Sequence, residues 1–297
     1  QKGDTLWDLS NSFSNSPWVW PEMWQYTPQI TNPHLLYPGQ KMLIYKKEWE
    51  GKEKQPAPLP IVKEPEILHT FKEIDRVGCI RETAIDHYGT IFKVQGDAIL
   101  INTGDQVYIY PEPGAPPLSV GSKYTTFRTL DPVKDPETKE YIGIQHLLSG
   151  IVEITAVEPE FAIGKIVFTY RDILINDLLM PYATRSVNIP IKKSKQGLVG
   201  KVIKSEEEDT MIAQFSIIFI DKGEVDGIMP GQFYSLYMQE SARPNPAEIK
   251  NVLLTPYLIG EIIILHTENT TAAALITNSK QQITPGNLVL PLAVSGN

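Results

Sequence analysis

The chain has 297 residues, 42% of them hydrophobic, with one cysteine and a formal net charge of −8. That length allows two or three domains with sizeable cores. A uniformly acidic surface repels phosphate backbones, so no nucleic-acid partner is expected, and a single thiol excludes an intrachain disulfide. No stretch approaches the ~18 consecutive apolar residues of a spanning helix, so no transmembrane helix is expected. The sequence opens at Gln1 without an initiator Met. The expectation is export with a leader not present in this chain.

Residues 1–46 are rich in aromatics, including Trp7, Trp18, Trp20 and Trp24. Gly3-Asp4-Thr5 reads as a turn carrying a helix N-cap, because Asp4 or Thr5 can accept from the free amides of the next turn. Leu6, Leu9 and Phe13 are spaced to give one buried helical stripe. Pro21 suits the first turn of a second helix, and Pro28 stops it. Tyr37-Pro38-Gly39-Gln40 is a tight turn, and residues 41–45 return as a strand. The predicted order is strand, helix, helix, strand.

Gly3-Asp4-Thr5-Leu6-Trp7 and Tyr37-Pro38-Gly39-Gln40-Lys41-Met42-Leu43-Ile44 resemble the opening and closing signatures of the LysM family. The resemblance implies an α+β module (βααβ) with two helices on one face of a two-stranded ribbon. It also implies binding of N-acetylglucosamine-containing glycans, chiefly peptidoglycan and chitin. The implied groove lies between Gly3, Asp4, Thr5 and Leu6 on one side and Ile30, Thr31, Asn32 and Pro33 on the other. Thr27 departs from the family, which usually has Asn there. The segment 16–24 is longer and more aromatic than a plain LysM interhelix loop. It reads either as an extra sugar-stacking or docking surface, or as large side chains filling the core of a tiny domain. The second reading is favoured, because small domains need bulky core residues.

Residues 47–66 carry a charge run and then Pro56, Pro58, Pro60 and Pro65, which reads as a semi-rigid tether. From residue 67 the pattern is mainly β, with strand-like runs at 99–102, 106–110, 151–157, 165–170, 211–220, 232–238 and 260–265. A helical period is expected only near 172–179. A gapless shift of 110 superposes Gly121 on Gly231, Tyr124 on Tyr234, Gly150 on Gly260, Glu158 on Glu268 and Pro181 on Pro291. It also sets Val107 on Ile217 and Ile109 on Phe219. Turn glycines and alternating apolar positions are where backbone geometry and burial constrain residue type. The predicted architecture is therefore a LysM module at 1–46, a linker at 47–66 and mainly-β tandem repeated domains, small barrels or sandwiches, at 67–190 and 191–297.

Candidate chemistry is sparse. Gly78-Cys79-Ile80-Arg81 is similar to the Ser-His-Gly-Cys-x-Arg string of L,D-transpeptidases, but Arg76 and Val77 stand where Ser and His are needed. Cys79 reads as a small buried thiol in a strand. The histidines His34, His69, His87, His146 and His266 show no metal-ligand spacing. Asp221, Glu224 and Asp226, and the run 206–209, read as solvated turns. No catalytic residue, metal ligand or cofactor is assigned, and the protein is read as non-enzymatic.

The order LysM then β-rich region resembles LysM-bearing accessory proteins of type IV pilus secretins, whose β-rich part is related to a flagellar ring-assembly protein. The likeness is carried by residues 102–109, 121–128 and 150–157, by the repeat partners around Gly231 and Gly260, and by the Trp18-to-Trp24 insert. It implies a periplasmic scaffold in the envelope of a Gram-negative-type bacterium. Such a scaffold holds peptidoglycan through the LysM and props an outer-membrane secretin or other envelope ring protein, itself as a homo-oligomer in a ring. The alternatives are a LysM-targeted wall-remodelling enzyme and an envelope glycan-binding sensor or adhesin.

Overall fold

The structure is a computed structural model. It describes residues 5–14, 16–25, 27, 30, 36, 37, 41, 66–96, 100–209, 211–244 and 251–292. The chain divides into two compact units, Gln1–Lys63 and Glu64–Asn297. No helix among the described residues is long and apolar enough to cross a membrane.

The first unit contains α1 (Leu6–Ser14), a 3-10 turn (Pro17–Val19) and α2 (Trp20–Gln25). The two strands expected to flank them apart from Lys41, and the Tyr37-to-Gln40 turn apart from Tyr37, lie outside the described residues, as does Pro28. Thr5 starts α1 with a reciprocal cap. The Asp8 amide donates to Thr5 Oγ1 at 3.3 Å, and the Thr5 amide donates to Asp8 Oδ2 at 3.1 Å. Two otherwise orphaned amides are thereby satisfied. The buried stripe is narrower than expected: Leu6 is fully buried, whereas Phe13 is exposed.

The second unit is almost entirely β. Its strands are β1 (Leu68–Thr70), β2 (Cys79–Arg81), β3 (Gly89–Val94), β4 (Gln106–Pro111), β5 (Lys123–Lys134), β6 (Tyr141–Val157), β7 (Ala162–Thr169), β8 (Leu178–Pro181), β9 (Asn188–Pro190), β10 (Gly200–Ser205), β11 (Ile217–Ile220), β12 (Phe233–Met238), β13 (Ser241–Ala242), β14 (Val252–Leu253), β15 (Tyr257–Thr267), β16 (Ala272–Ser279) and β17 (Leu288–Pro291). The strands β6-β5-β8-β3-β4-β7 form one antiparallel circuit that closes where β7 pairs back to β6, while β2 adds to the outer end of β6. The strands β15-β12-β17-β10-β11-β16 close a second barrel in the same circular order. Closure removes the sheet edges that would otherwise invite aggregation. Each barrel fills its interior with its own apolar cluster, around Ile109, Val152 and Ile166 in the first and Ile218, Ile262 and Ile276 in the second.

The two barrels are a repeat at the level of register. Tyr108 pairs with Ile163 as Phe219 pairs with Ala273, and Glu153 pairs with Lys165 as Ile263 pairs with Leu275. Even the bulge between Ile91 and Lys93 returns between Val202 and Lys204. The gapless shift therefore fails in one stretch. Val107 and Ile109 are interior residues of the first barrel, but Ile217 and Phe219 point out of the second; Ile218 and Ile220 point in. The first repeat has one extra residue between β4 and β5, and with a side-chain period of 2 a one-residue slip exchanges the faces.

Other sequence expectations also change. Of the run at 99–102, residue 99 lies outside the described residues and the rest contributes an isolated bridge from Ile101 to Ile173; of 211–220 only 217–220 is strand, with Ile212 bridging Ile283. The segment 172–179 forms no helix; Ile173 is buried in the first barrel core and β8 begins at Leu178.

Candidate functional site

In the first unit, sequence-local contacts determine which aromatic rings are exposed. Ser10 is fully buried and donates its hydroxyl to the Pro17 carbonyl at 2.8 Å, tying α1 to the 3-10 turn. That turn places Trp18 against Trp7 edge to face, with ring centroids 4.9 Å apart. Trp20 and Trp24 stack at 6.3 Å, and the Trp24 indole N–H donates to the Ile30 carbonyl at 2.7 Å. Among the described residues of this unit, the buried apolar side chains are Leu6, Met23 and Ile30. The tryptophans therefore do not fill the core as expected. Trp18 is 76% exposed and Trp7 41%. Rings with one apolar face held open to water suit the C–H face of a sugar.

Of the residues expected to line the groove, Thr5 is half-buried and engaged in the cap, and Leu6 and Ile30 have buried side chains. Leu6 and Ile30 can reach a ligand through backbone groups only. Gly3, Asp4, Thr31, Asn32 and Pro33 lie outside the described residues. Thr27, at the position where the family usually has Asn, is buried and donates its hydroxyl to the Met23 carbonyl at 3.1 Å.

In the second unit the notable chemistry lies at the joint between the barrels. There Ile74, Val77, Ile80, Val133 and Ile189 cover the outward-facing Ile203, Phe219, Ile263 and Leu265 of the second barrel in a third apolar cluster. Polar contacts border it. Arg81 Nε lies 2.8 Å from Glu268 Oε2, His266 Nε2 lies 2.9 Å from Glu268 Oε1, and Thr271 donates to the Ile80 carbonyl at 2.7 Å. Burial alone would raise the Glu268 carboxyl, but hydrogen bonds from His266 and Arg81 outweigh it and hold the group down at about 2.

The run 206–209, expected to be a solvated turn, is instead part of this joint. Glu206 is buried and accepts from the Gly78 amide, while Gln145 donates to its backbone carbonyl at 2.7 Å. Arg171 lies 3.0 Å from Glu206 Oε2, a contact made through charge rather than an aligned hydrogen bond, and also binds Glu207. The carboxylates at Asp221, Glu224 and Asp226 are likewise occupied by protein donors: the Lys201 amide, the Thr267 hydroxyl and the Gly223 amide.

The fold brings Cys79 to His266 and Glu268, a convergence invisible in residue spacing. Their ligand atoms lie within 4.8 Å of one another. These three residues have the donor types of a soft-metal site, or of a nucleophile with its base and orienting acid. In the metal-free chain the thiol is protonated and the carboxylate is already paired. Burial, then the Glu268 charge, pushes the Cys79 thiol up to about 12, so it is a thiol at neutral pH. Glu268 is already neutralised by Arg81. Glu268 thus ties Arg81 and His266 together beside the Cys79 thiol.

Residues 1–44 match the LysM domain family. No curated protein matches the chain.

Proposed function

We propose that the protein is a non-catalytic, wall-anchored scaffold of the bacterial envelope. Its LysM unit grips N-acetylglucosamine-containing peptidoglycan, and its barrels carry a protein assembly. The observation that carries this reading is the LysM match over residues 1–44. The exposed Trp18 beside Trp7 supports it by offering a surface for sugar faces. The protonated, buried Cys79 supports a non-enzymatic role, because the chain's one thiol is a poor nucleophile where it stands. The finer reading is periplasmic: the barrels prop an outer-membrane secretin ring of a type IV pilus, with several copies of the chain around it. Such a ring works under pulling force, and a grip on the covalent wall would oppose that force.

The test is sedimentation with purified sacculi, comparing the full chain with one lacking residues 1–46. The full chain is expected to sediment and the truncated chain to remain soluble; equal sedimentation overturns the glycan reading. Release of muropeptides by the full chain would overturn the non-catalytic reading. Pull-down from envelope extracts by the full chain tests the partner: a secretin should be retained, and its absence from a fraction that contains it overturns that assignment.

A further inference from the structure

The two barrels are joined through one outward face of the second, and the first barrel exposes the counterpart of that face. In the second barrel, Ile203, Phe219 and Thr271 lie under the joint. The register equivalences place Phe92 at the position of Ile203 and Tyr108 at that of Phe219, and the shift of 110 places Phe161 at that of Thr271. In the first barrel these three rings form a triangle, with centroids 5.7 to 6.4 Å apart. Phe92 is 45% exposed, and Tyr108 and Phe161 are half-buried among the described residues. A cluster of three large aromatic side chains on an outer sheet face has the composition of an interface centre.

The surface complementary to this face also has a free counterpart. At the joint, the second barrel is covered in part by the extended β5–β6 hairpin of the first, through Val133 and Ile142. The second barrel carries a similar projection as β13 and β14, and at the shift of 110 Val252 takes the place of Ile142 and Arg243 that of Val133. There the apolar residues are open: Val252 and Leu254 are exposed and Leu253 is 67% exposed. Moreover β2, which pairs with the first hairpin, has no equivalent among the described residues, and β13–β14 remains a two-stranded sheet.

We propose that a second copy of this chain docks here, with the β13–β14 hairpin of one molecule on the Phe92–Tyr108–Phe161 face of the next, repeating between molecules the contact that joins the barrels within one. The contact is heterologous, since two different surfaces meet, so it closes into a ring or extends as a filament depending on its rotation. It rests on the repeat and not on the glycan reading, and its test contains no glycan.

The test is sedimentation velocity of the full chain from low micromolar to near-millimolar concentration, with Tyr108→Asp and Val252→Asp as variants. The wild-type chain should associate with concentration. Each variant should weaken association by at least about ten-fold, because an aspartate would be desolvated without a partner. Matched melting transitions check that both variants fold. An equimolar mixture of the two variants retains one intact face and one intact hairpin, so it should form dimers and stop there. A wild-type chain that stays monomeric throughout, association untouched by both variants, or a mixture that stays monomeric overturns the proposal.

Discussion

Arg81, in β2, and Glu268, in the turn after β15, meet across the joint between the barrels, Nε to Oε2 at 2.8 Å. Glu268 also holds His266. Replacing Glu268 by Gln should lower unfolding free energy by about 2 kcal/mol at pH 7, the size of a charge-assisted pair lost at a partly buried site. The sign with pH follows from a folded-state value of about 2 against an ordinary 4.5. A depressed carboxyl contributes stability above its unfolded value and loses it as pH falls through the folded one. The gap between wild type and Glu268→Gln in urea denaturation should therefore shrink below about pH 4.5 and vanish below about pH 2.

Glu206 tests the other side of the same joint. Glu206→Ala leaves the Gly78 amide buried without an acceptor and leaves Arg171 with Glu207 and the Arg76 and Leu148 carbonyls. The expected loss is about 3 kcal/mol. Glu206→Gln keeps an acceptor for Gly78 and should cost about 1 kcal/mol. Equal denaturation midpoints for the two variants would refute the role assigned to the amide.

Gly121 and Gly231 occupy the same turn in the two barrels, both with positive φ, at 81° and 91°. A Cβ at Gly121 meets nothing within 4 Å, whereas one at Gly231 falls 1.9 Å from the Pro190 carbonyl oxygen. Gly121→Ala should cost about 1 kcal/mol from backbone strain alone. Gly231→Ala should cost at least about 2 kcal/mol more, because the β9 segment must move. Thermal melts of the pair read the difference directly.

Phe215 stands where the first repeat has Gly104, and both take positive φ, 71° and 99°. Phe215 is also exposed, so its ring gains little from packing. Phe215→Gly should raise stability by up to about 1 kcal/mol through relief of left-handed strain, visible as a higher melting temperature.

Trp18→Ala should leave the fold intact, because the ring is mostly in solvent. If sugars stack there, the variant should bind sacculi several-fold more weakly, a loss of about 1 kcal/mol. Unchanged binding would confine the glycan contact to the backbone loops.

The repeat is legible in the sequence because Gly121 and Gly231 supply positive φ, and because Gly150 and Gly260 each face a neighbouring carbonyl, that of Phe168 or Asn278, too closely for a Cβ. The one-residue slip is not legible, because Ile217 through Ile220 are all apolar and alternation gives no phase. Only the joint explains why both faces of that strand are buried. The same joint turns Glu206, one of four consecutive acids, into a core residue, and no local pattern distinguishes it from Glu208. At the amino end, the Thr5–Asp8 cap follows from spacing, but the exposure of Trp18 depends on how Pro17 sets the 3-10 turn, which composition does not encode.

An apolar layer bordered by anchored charges leaves the two barrels little freedom to bend against each other. Hinging would have to bare Phe219 and Ile263 and part Arg171 from its acids at the same moment. The tandem is thus a strut and not beads on a string: a pull on one barrel is felt at the other without slack.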